Sequence, residues 1–86
     1  MSSFHFTEDG MEDYLYWQAH DKQVLKKINS LLKSVSRTPF SGEGKPEPLK
    51  FKGKWSRRIN ETDRLVYSYE NDTIIIYQCK VHYDDR

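Results

Sequence analysis

The sequence predicts an α+β domain in which two N-terminal helices form a hairpin packed on a twisted, mainly antiparallel sheet. Two observations lead to this expectation. Apolar residues recur at helical spacing in the first part of the chain, up to residue 35. Three later segments are rich in aromatic and β-branched residues, as strands are. Because 86 residues supply one hydrophobic core, we expect a single domain over residues 1–86.

The first element is expected to be a short strand at Phe4–Phe6, where apolar and polar residues alternate. Thr7, followed by two acids, is typical of a helix N-cap. The first helix should therefore run from about Glu8 to His20. Its core-facing positions are predicted, from the spacing of apolar residues, to be Met11, Tyr14, Leu15 and Ala19.

A second helix is expected after Asp21, a residue type that caps helices. Its apolar residues show the clearest helical periodicity in the chain and are Val24, Leu25, Ile28, Leu31, Leu32 and Val35. With so few residues between the two helices, we predict that they form an antiparallel hairpin. The lysines of the second helix lie largely off this stripe and are expected on a solvated face.

The segment from Arg37 to Pro48 is expected to be a loop, because it contains three prolines and two glycines, which oppose regular structure. Three strands should follow it, at Trp55–Asn60, Arg64–Glu70 and Thr73–Tyr83. Residues Ile74–Tyr77 are apolar on both faces, which is typical of a central strand. A hairpin turn is expected at Asn71-Asp72.

The charges of the chain are balanced overall but separated along it. Fourteen Lys and Arg residues stand against 13 Asp and Glu, for a net charge of +1. Residues 1–21 contain five acids and no Lys or Arg, whereas residues 45–64 contain seven Lys and Arg against three acids, a local charge of +4. A chain polarised in this way can present a cationic surface to a polyanion.

The composition disfavours several classes of site and location. Cys79 is the only cysteine, which excludes an internal disulfide and a multi-thiolate metal site and fits a reducing cytoplasm. The three histidines show no metal-ligand spacing, and Gly42 and Gly44 lack the context of a nucleotide-binding loop. The first residues show no signal-peptide pattern, and no apolar run approaches the ~20 residues of a membrane span. We therefore expect no metal, no cofactor, no membrane association and a cytoplasmic location.

The C-terminal half contains the residue types needed to cut an RNA phosphodiester without a metal. That reaction needs a base for the 2′-hydroxyl proton, cations for the charge that gathers on phosphorus, and an acid for the departing 5′-oxygen. Glu47 is the candidate base, and His82 is the candidate acid because imidazole changes charge near neutral pH. Arg64, with Lys50 and Arg58, is the candidate phosphate clamp.

Each assignment has a purely structural alternative. Glu47 could be an exposed loop carboxylate, and Arg64 could pair with Glu61 or Asp63. His82 could be an exposed side chain near the C-terminus, and Tyr83 could pack rather than stack on a base. Arg57-Arg58 should point to opposite faces of the sheet if both lie in a strand, so at most one of the two joins a given site.

The turn at Asn71-Asp72 decides whether Arg64 and His82 can share a site. With a simple two-residue turn, Arg64 would lie opposite Cys79, and His82 would project from the other face of the sheet. A three-residue loop would instead pair Arg64 with Lys80 and put His82 on the same face. We predict the odd-length loop or a compensating bulge.

Several sequence blocks, taken in order, resemble the YoeB/Txe family of RelE-like toxins. They are EDYLYW at 12–17, GKPEPLK at 44–50, WSRRI at 55–59, RLVY at 64–67 and HY at 82–83. The match covers nearly the whole chain, and the longer blocks in this order are highly specific. The resemblance implies a RelE-like fold of the order βααβββ(β). It also implies a ribosome-dependent mRNA endonuclease that cuts the codon in the A site and leaves 2′,3′-cyclic phosphate and 5′-hydroxyl ends.

The resemblance further implies roles for individual residues. Glu47 takes the position of the general base, Arg64 that of the transition-state clamp, and His82 that of the general acid. Tyr83 matches the aromatic residue that shapes the site. Two more positions match residues expected to contact RNA phosphate, Lys50 and Arg58. Asp84–Arg86 depart from the family pattern, in which chains usually end at the His-Tyr pair.

The partners implied by the resemblance are a cognate antitoxin of the YefM/Axe kind, the bacterial ribosome and mRNA. Homodimers are also implied for the family, and operator DNA would be bound only through the antitoxin. An alternative from a different class is a non-catalytic RNA- or ribosome-binding module that uses the same cationic segment without acid-base chemistry. A DNA-binding regulator acting alone is disfavoured, because neither helix has a basic recognition face next to a suitable turn.

Overall fold

The computed structural model of the protein describes residues 2–50 and 53–82. Within these ranges the chain forms two helices and five strands, in the order β1 (Ser3–Phe6), α1 (Glu8–His20), α2 (Lys22–Arg37), β2 (Glu47–Pro48), β3 (Lys54–Arg58), β4 (Arg64–Glu70) and β5 (Thr73–Gln78). The strands form one sheet of order β1-β5-β4-β3-β2, and the helices pack on it. The predicted α+β class is confirmed, including the additional strand that the family resemblance allowed.

Both helices begin where the sequence predicts, because side chains cap them. Thr7 Oγ1 accepts a hydrogen bond from Gly10 N at 3.0 Å, and Asp21 Oδ1 accepts from the backbone N–H groups two and three residues after it. These bonds satisfy first-turn donors that have no partner inside the helix. Asp21 alone separates the helices, and Tyr14 Oη donates to Asn29 Oδ1 at 2.7 Å. The predicted helical hairpin is therefore confirmed.

The core lies between α2 and the sheet. Three α2 residues of the predicted stripe are fully buried: Ile28, Leu31 and Val35. The sheet and its connections contribute the rest of the buried cluster, namely Ile59, Leu65, Tyr67, Ile74, Ile76 and Cys79. Burying an aliphatic side chain of this size contributes about 1.5–3 kcal/mol. Within the described ranges, neither helix is long and apolar enough to cross a membrane.

The face of α1 that packs on the sheet differs from the predicted one. The inward stripe has helical spacing but mixed chemistry, and consists of Gly10, Asp13, Tyr14 and Trp17. Of the predicted inward residues, Tyr14 is half-buried, whereas Met11, Leu15 and Ala19 are exposed. A Cβ on Gly10 would collide with the backbone oxygen of Ile76. The helix therefore approaches β5 through a residue without a side chain, which a pattern of apolar residues does not reveal.

The sheet is mixed, with one parallel pair. β1 runs parallel to β5, and the remaining neighbours are antiparallel, so the mainly antiparallel prediction is confirmed. β5 has a neighbour on each side, as expected for an internal strand, although β4 is the middle strand. Ile74 and Ile76 are buried on one face, whereas Ile75 and Tyr77 on the other face are half-buried. The predicted strand ends were too late, since β3 ends at Arg58 and β5 at Gln78.

The predicted loop over residues 37–48 is wrong at both ends, because Arg37 is the last residue of α2 and residues 47–48 form a strand. Glu47 pairs with Ser56 and Pro48 with Trp55, which makes β2 an edge strand of two residues. A proline cannot donate to a ladder, but at a sheet edge its missing donor can face away from the neighbour. This short pairing ties the end of the loop to β3.

Candidate functional site

The strand register brings three of the predicted site residues to one face of the sheet. Arg58 lies directly opposite Arg64, and Glu47 lies opposite Ser56, two residues before Arg58 on the same strand. Directly opposed residues share a face, as do residues two apart in a strand. Glu47, Arg58 and Arg64 therefore lie on the face away from the helices.

A bulge between β4 and β5 sets the register near the C-terminal end. Asn71-Asp72 form a two-residue turn with φ values of 52° and 59°. Tyr67 pairs with Ile76, whereas the residue before it pairs with Gln78, so β5 holds one extra residue. The predicted compensating bulge is confirmed. His82 itself lies beyond the end of the paired strand.

An open cleft of about 550 Å³ lies at the end of this part of the sheet. Among the described residues that line it, four are cationic, and these define what we call the cationic cleft: Lys27, Lys45, Arg58 and Arg64. Glu61 is the acid of the lining. Arg58 N donates to Gly44 O at 2.7 Å, which brings the loop carrying Lys45 beside β3. Clustered cations of this kind suit the phosphates of a nucleic acid.

One of the four cations is already partly neutralised. Lys27 Nζ lies 2.8 Å from Glu43 Oε2. The hydrogen bond from Lys27, followed by the one from Ser30 Oγ, holds the pKa of Glu43 below its ordinary value. Within the described residues, no carboxylate forms an ion pair with the other three cleft cations. Among the described residues, no acid therefore competes with an anionic ligand for these three cations.

Two backbone oxygens orient Arg64. Its Nη1 donates to Asn60 O at 2.7 Å and to Asp63 O at 3.0 Å. The Asp63 carboxylate is engaged elsewhere: its Oδ1 accepts from Val81 N at 2.7 Å. The ion pair considered as a structural alternative for Arg64 is thus not formed among the described residues. Carbonyl contacts fix the guanidinium without cancelling its charge.

His82 is held by an acid of α1. Its Nε2 lies 3.0 Å from Asp13 Oδ2, and the His82 side chain is 17% exposed. The contact between Asp63 and Val81 joins the residue before Arg64 to the residue before His82. This contact links the segment that carries the candidate acid to the segment that carries the candidate clamp, although His82 does not line the cationic cleft.

The remaining predicted residues lie apart from the cleft or outside the described ranges. Glu47 and Lys50 are exposed and are not among the lining residues. Tyr83 and Asp84–Arg86 lie outside the described residues. No three His, Cys, Asp or Glu side chains in residues 2–50 and 53–82 are grouped so that they could hold a metal ion.

Sequence reasoning missed Asp13, Asp63 and the two lysines of the cleft as site residues. A carboxylate beside a predicted helix face gives no local sign of a distant histidine partner. One signal was available for Asp13, since it lies three residues after Gly10 and one before Tyr14, on the stripe that faces the sheet.

Comparison with known families identifies relatives over nearly the whole chain. A family described as the YoeB-like toxin of bacterial type II toxin-antitoxin systems matches residues 6–83. The toxin YoeB of Escherichia coli K12 is 54% identical over 80 residues, which cover 91% of this chain and 95% of that protein.

Solved structures of similar sequence share the fold. A YoeB-YefM complex from Staphylococcus aureus contains a chain 45% identical to this one, with a TM-score of 0.89 and coverage of 96% of this chain and 99% of that one. A YoeB dimer from the same organism is 47% identical, with a TM-score of 0.88 and coverage of 95% and 98%.

Proposed function

This chain belongs to the YoeB-like toxins of bacterial type II toxin-antitoxin systems, and from this membership we propose that it is a ribosome-dependent mRNA endonuclease. Its substrate is the codon in the ribosomal A site. The observation that carries the proposal is the cationic cleft, in which Arg58 and Arg64 lie opposite each other and pair with no described carboxylate. Two guanidinium groups at one phosphate can stabilise the negative charge of a phosphoryl transition state.

The proposed reaction needs no metal and balances its protons within the site. Glu47 takes the proton from the 2′-hydroxyl, and the 2′-oxygen attacks phosphorus. Arg64 holds the charge that develops on the phosphoryl oxygens, with Lys50 and Arg58 binding RNA phosphate. The bond from phosphorus to the 5′-oxygen breaks, and His82 gives that oxygen a proton. The products are a 2′,3′-cyclic phosphate and a 5′-hydroxyl.

Tyr83 completes the proposed set of residues, as the aromatic side chain that shapes the site around a base. Glu47 projects from the same sheet face as Arg64, and His82 is linked to the strand of Arg64 through the Val81–Asp63 contact. Bound RNA would draw the three groups onto one phosphate. Catalytic contacts are commonly long in a free enzyme and tighten when the substrate is present.

The test is to map RNA ends after brief induction of the wild type and of His82→Gln and Glu47→Ala. We expect growth arrest and cuts inside translated codons for the wild type, and loss of both for the two variants. His5→Gln is the matched control, because His5 is an exposed histidine of β1 and its loss should leave the cuts in place. Normal growth with intact messages in cells that express the wild type would refute the proposal.

A second candidate function is a non-catalytic RNA- or ribosome-binding module. One observation favours it: the cationic cleft is lined by cations but by neither Glu47 nor His82. If the chain is such a module, Arg58→Ala weakens RNA binding and reduces the magnitude of the negative slope of log K against log salt by about one. His82→Gln would then change neither growth nor RNA integrity, which is the outcome that separates the two functions.

The proposed partners are the ribosome, mRNA and a cognate antitoxin of the YefM/Axe kind, with operator DNA bound only through that antitoxin. Support for the antitoxin comes from the similar Staphylococcus aureus chain, which was solved in a YoeB-YefM complex. A homodimer is proposed because another similar chain was solved as a YoeB dimer. Light scattering of the purified toxin, alone and with antitoxin, measures both assemblies.

A further inference from the structure

The segment Cys79–His82 follows β5 without regular structure, yet two buried carboxylates hold it. Cys79 N donates to Asp13 Oδ2 at 3.0 Å, and Val81 N donates to Asp63 Oδ1 at 2.7 Å. Asp13 is 2% exposed and Asp63 is 5% exposed. A buried carboxylate is tolerated when hydrogen bonds replace its hydration. The backbone that carries His82 is therefore fixed from α1 on one side and from the turn before β4 on the other.

The same oxygen of Asp13 also contacts the His82 ring. Asp13 Oδ2 lies 3.0 Å from His82 Nε2. An ionised carboxylate only accepts hydrogen bonds, so this contact requires the proton of the ring to be on Nε2. Asp13 thus selects one tautomer of neutral His82 and one orientation of its ring. Because Asp13 engages Nε2, Nδ1 is the ring nitrogen that can take part in proton transfer.

We propose that Asp13 is a positioning residue for His82, which makes Nδ1 the nitrogen that gives its proton to the RNA. The inference rests on the proposed function and deepens it. In the cleavage step the doubly protonated ring transfers its Nδ1 proton to the 5′-oxygen as the phosphorus–oxygen bond breaks. The ring becomes neutral. Its remaining proton stays on Nε2, hydrogen-bonded to Asp13 Oδ2. No other co-reactant is needed.

The buried position of Asp13 suits this role. Asp13 lies on the α1 face that packs on β5, and its hydrogen bond from Cys79 N restrains the carboxylate there. His82 lies outside the sheet, where the backbone alone would leave a functional ring loosely oriented. In metal sites, removing the acceptor behind a histidine ligand typically costs about 10- to 100-fold, and we expect an effect of the same order for the partner of a catalytic histidine.

The kinetic test compares full-length wild type, Asp13→Asn and Glu12→Gln on ribosomes programmed with mRNA. Asp13→Asn removes the charge at nearly constant volume, and we expect it to lower kcat roughly 10- to 100-fold with KM unchanged. Glu12→Gln removes the same charge from an exposed neighbouring position of α1 and should cleave like the wild type. In a His82→Gln background, Asp13→Asn should cause no further loss.

The spectroscopic test uses no RNA. In ¹⁵N-labelled wild-type protein, neutral His82 should show the Nε2–H tautomer, and Asp13→Asn should change the ring signals whereas Glu12→Gln should not. A wild-type ring in the Nδ1–H tautomer overturns the inference, and this readout stands even if Asp13→Asn fails to fold.

The cleavage rates distinguish a failure of the positioning role of Asp13 from a failure of the proposed nuclease function. If Asp13→Asn cleaves as fast as the wild type, the positioning role is wrong and the nuclease proposal survives. Faster cleavage by Asp13→Asn would mean that Asp13 restrains His82, which also overturns the inference. A wild type that cuts no RNA ends both proposals together.

Discussion

Arg57 and Arg58 are neighbours in the chain, yet their guanidinium groups lie in opposite environments. Arg58 is exposed and lines the cationic cleft. Arg57 is fully buried and donates five hydrogen bonds, from Nε to Tyr67 Oη and from its two terminal nitrogens to Ser34 Oγ and to backbone oxygens of residues 38, 41 and 43. Alternation along β3 separates the two roles, as predicted. Arg57 holds the loop that leads to the cleft.

The first prediction concerns Arg57→Leu. This change removes the buried guanidinium that donates to Tyr67 Oη, to Ser34 Oγ and to three backbone oxygens of the loop, so we expect the unfolding free energy to fall by about 3–5 kcal/mol. Urea denaturation followed by circular dichroism measures it. Arg58→Leu is the matched control and should change stability by no more than about 0.5 kcal/mol, because Arg58 is exposed. Equal effects of the two substitutions would contradict a structural role specific to Arg57.

The second prediction concerns pH and Glu43, which Lys27 and Ser30 contact from α2. The folded pKa of Glu43 lies below its ordinary value of 4.5, so its stabilising contribution is complete above that value and is lost as pH falls below it. Both side chains of the Lys27–Glu43 pair are more than a third exposed, at 40% and 36%, which limits the contribution to about 1 kcal/mol.

We therefore expect Glu43→Gln to be less stable than the wild type at neutral pH, and the difference to disappear at a pH low enough to protonate the carboxylate in both the folded and the unfolded state. Urea denaturation at several pH values gives the difference. Glu61→Gln is the control, since Glu61 is an exposed acid near the same cleft. A Glu43→Gln deficit that stays constant with pH would mean that the pair is not its source.

At the scale of elements, the fit of α1 against β5 connects the fold to the site. Thr7 Oγ1 donates to the carbonyl oxygen of Ile76, and Trp17 Nε1 donates to Cys79 O at 2.7 Å. Between these contacts Gly10 lets the helix approach the strand closely. The helix carries Asp13 in the same stripe, so its seating also determines where His82 is held.

The third prediction follows from that close approach. In an ordinary helix Gly→Ala stabilises by up to about 1 kcal/mol, but at Gly10 the added methyl would meet the Ile76 backbone. We expect Gly10→Ala to destabilise the protein by about 1–3 kcal/mol, measured by thermal denaturation. Gln18→Ala, at an exposed position of α1, should be nearly neutral. A Gly10→Ala protein more stable than the wild type would show that the helix has room.

At the scale of the whole molecule, small size and separated charge bear on the stability of the chain and on its proposed partners. A chain of 86 residues with 36% hydrophobic residues buries a modest core, and such a domain gains stability from any partner that binds only its folded state. The acids of residues 1–21 and the cations of residues 45–64 are also separated along the chain, and Lys45, Arg58 and Arg64 of the second group line the cationic cleft. Both properties fit the proposed binding of an antitoxin and of RNA.

The fourth prediction is that the cognate antitoxin stabilises the toxin by mass action. At a free antitoxin concentration of 100 times Kd, the unfolding free energy should rise by about 2.7 kcal/mol. Thermal unfolding of the toxin at increasing antitoxin concentration measures the effect. An unrelated acidic protein at equal concentration is the control, and an unchanged toxin transition with saturating antitoxin would contradict the partner proposal.

Much of this fold is specified by short-range chemistry and could be predicted. The caps at Thr7 and Asp21, the apolar stripe of α2 and the apolar run of β5 act between residues close in the chain. That Arg58 and Arg64 share a face was harder to predict from the sequence, because it depends on the strand pairing that brings them opposite each other.

The rest was decided by contacts between residues far apart in the chain. Gly10 faces the sheet only because the backbone of Ile76 lies against it, and Asp13 became part of the candidate site only because His82 returns to α1. A carboxylate or a glycine carries no local mark of a partner more than sixty residues away. Hydrophobic patterning reports burial by solvent exclusion, whereas these positions are set by close packing and hydrogen bonding, which exist only once the sheet has formed.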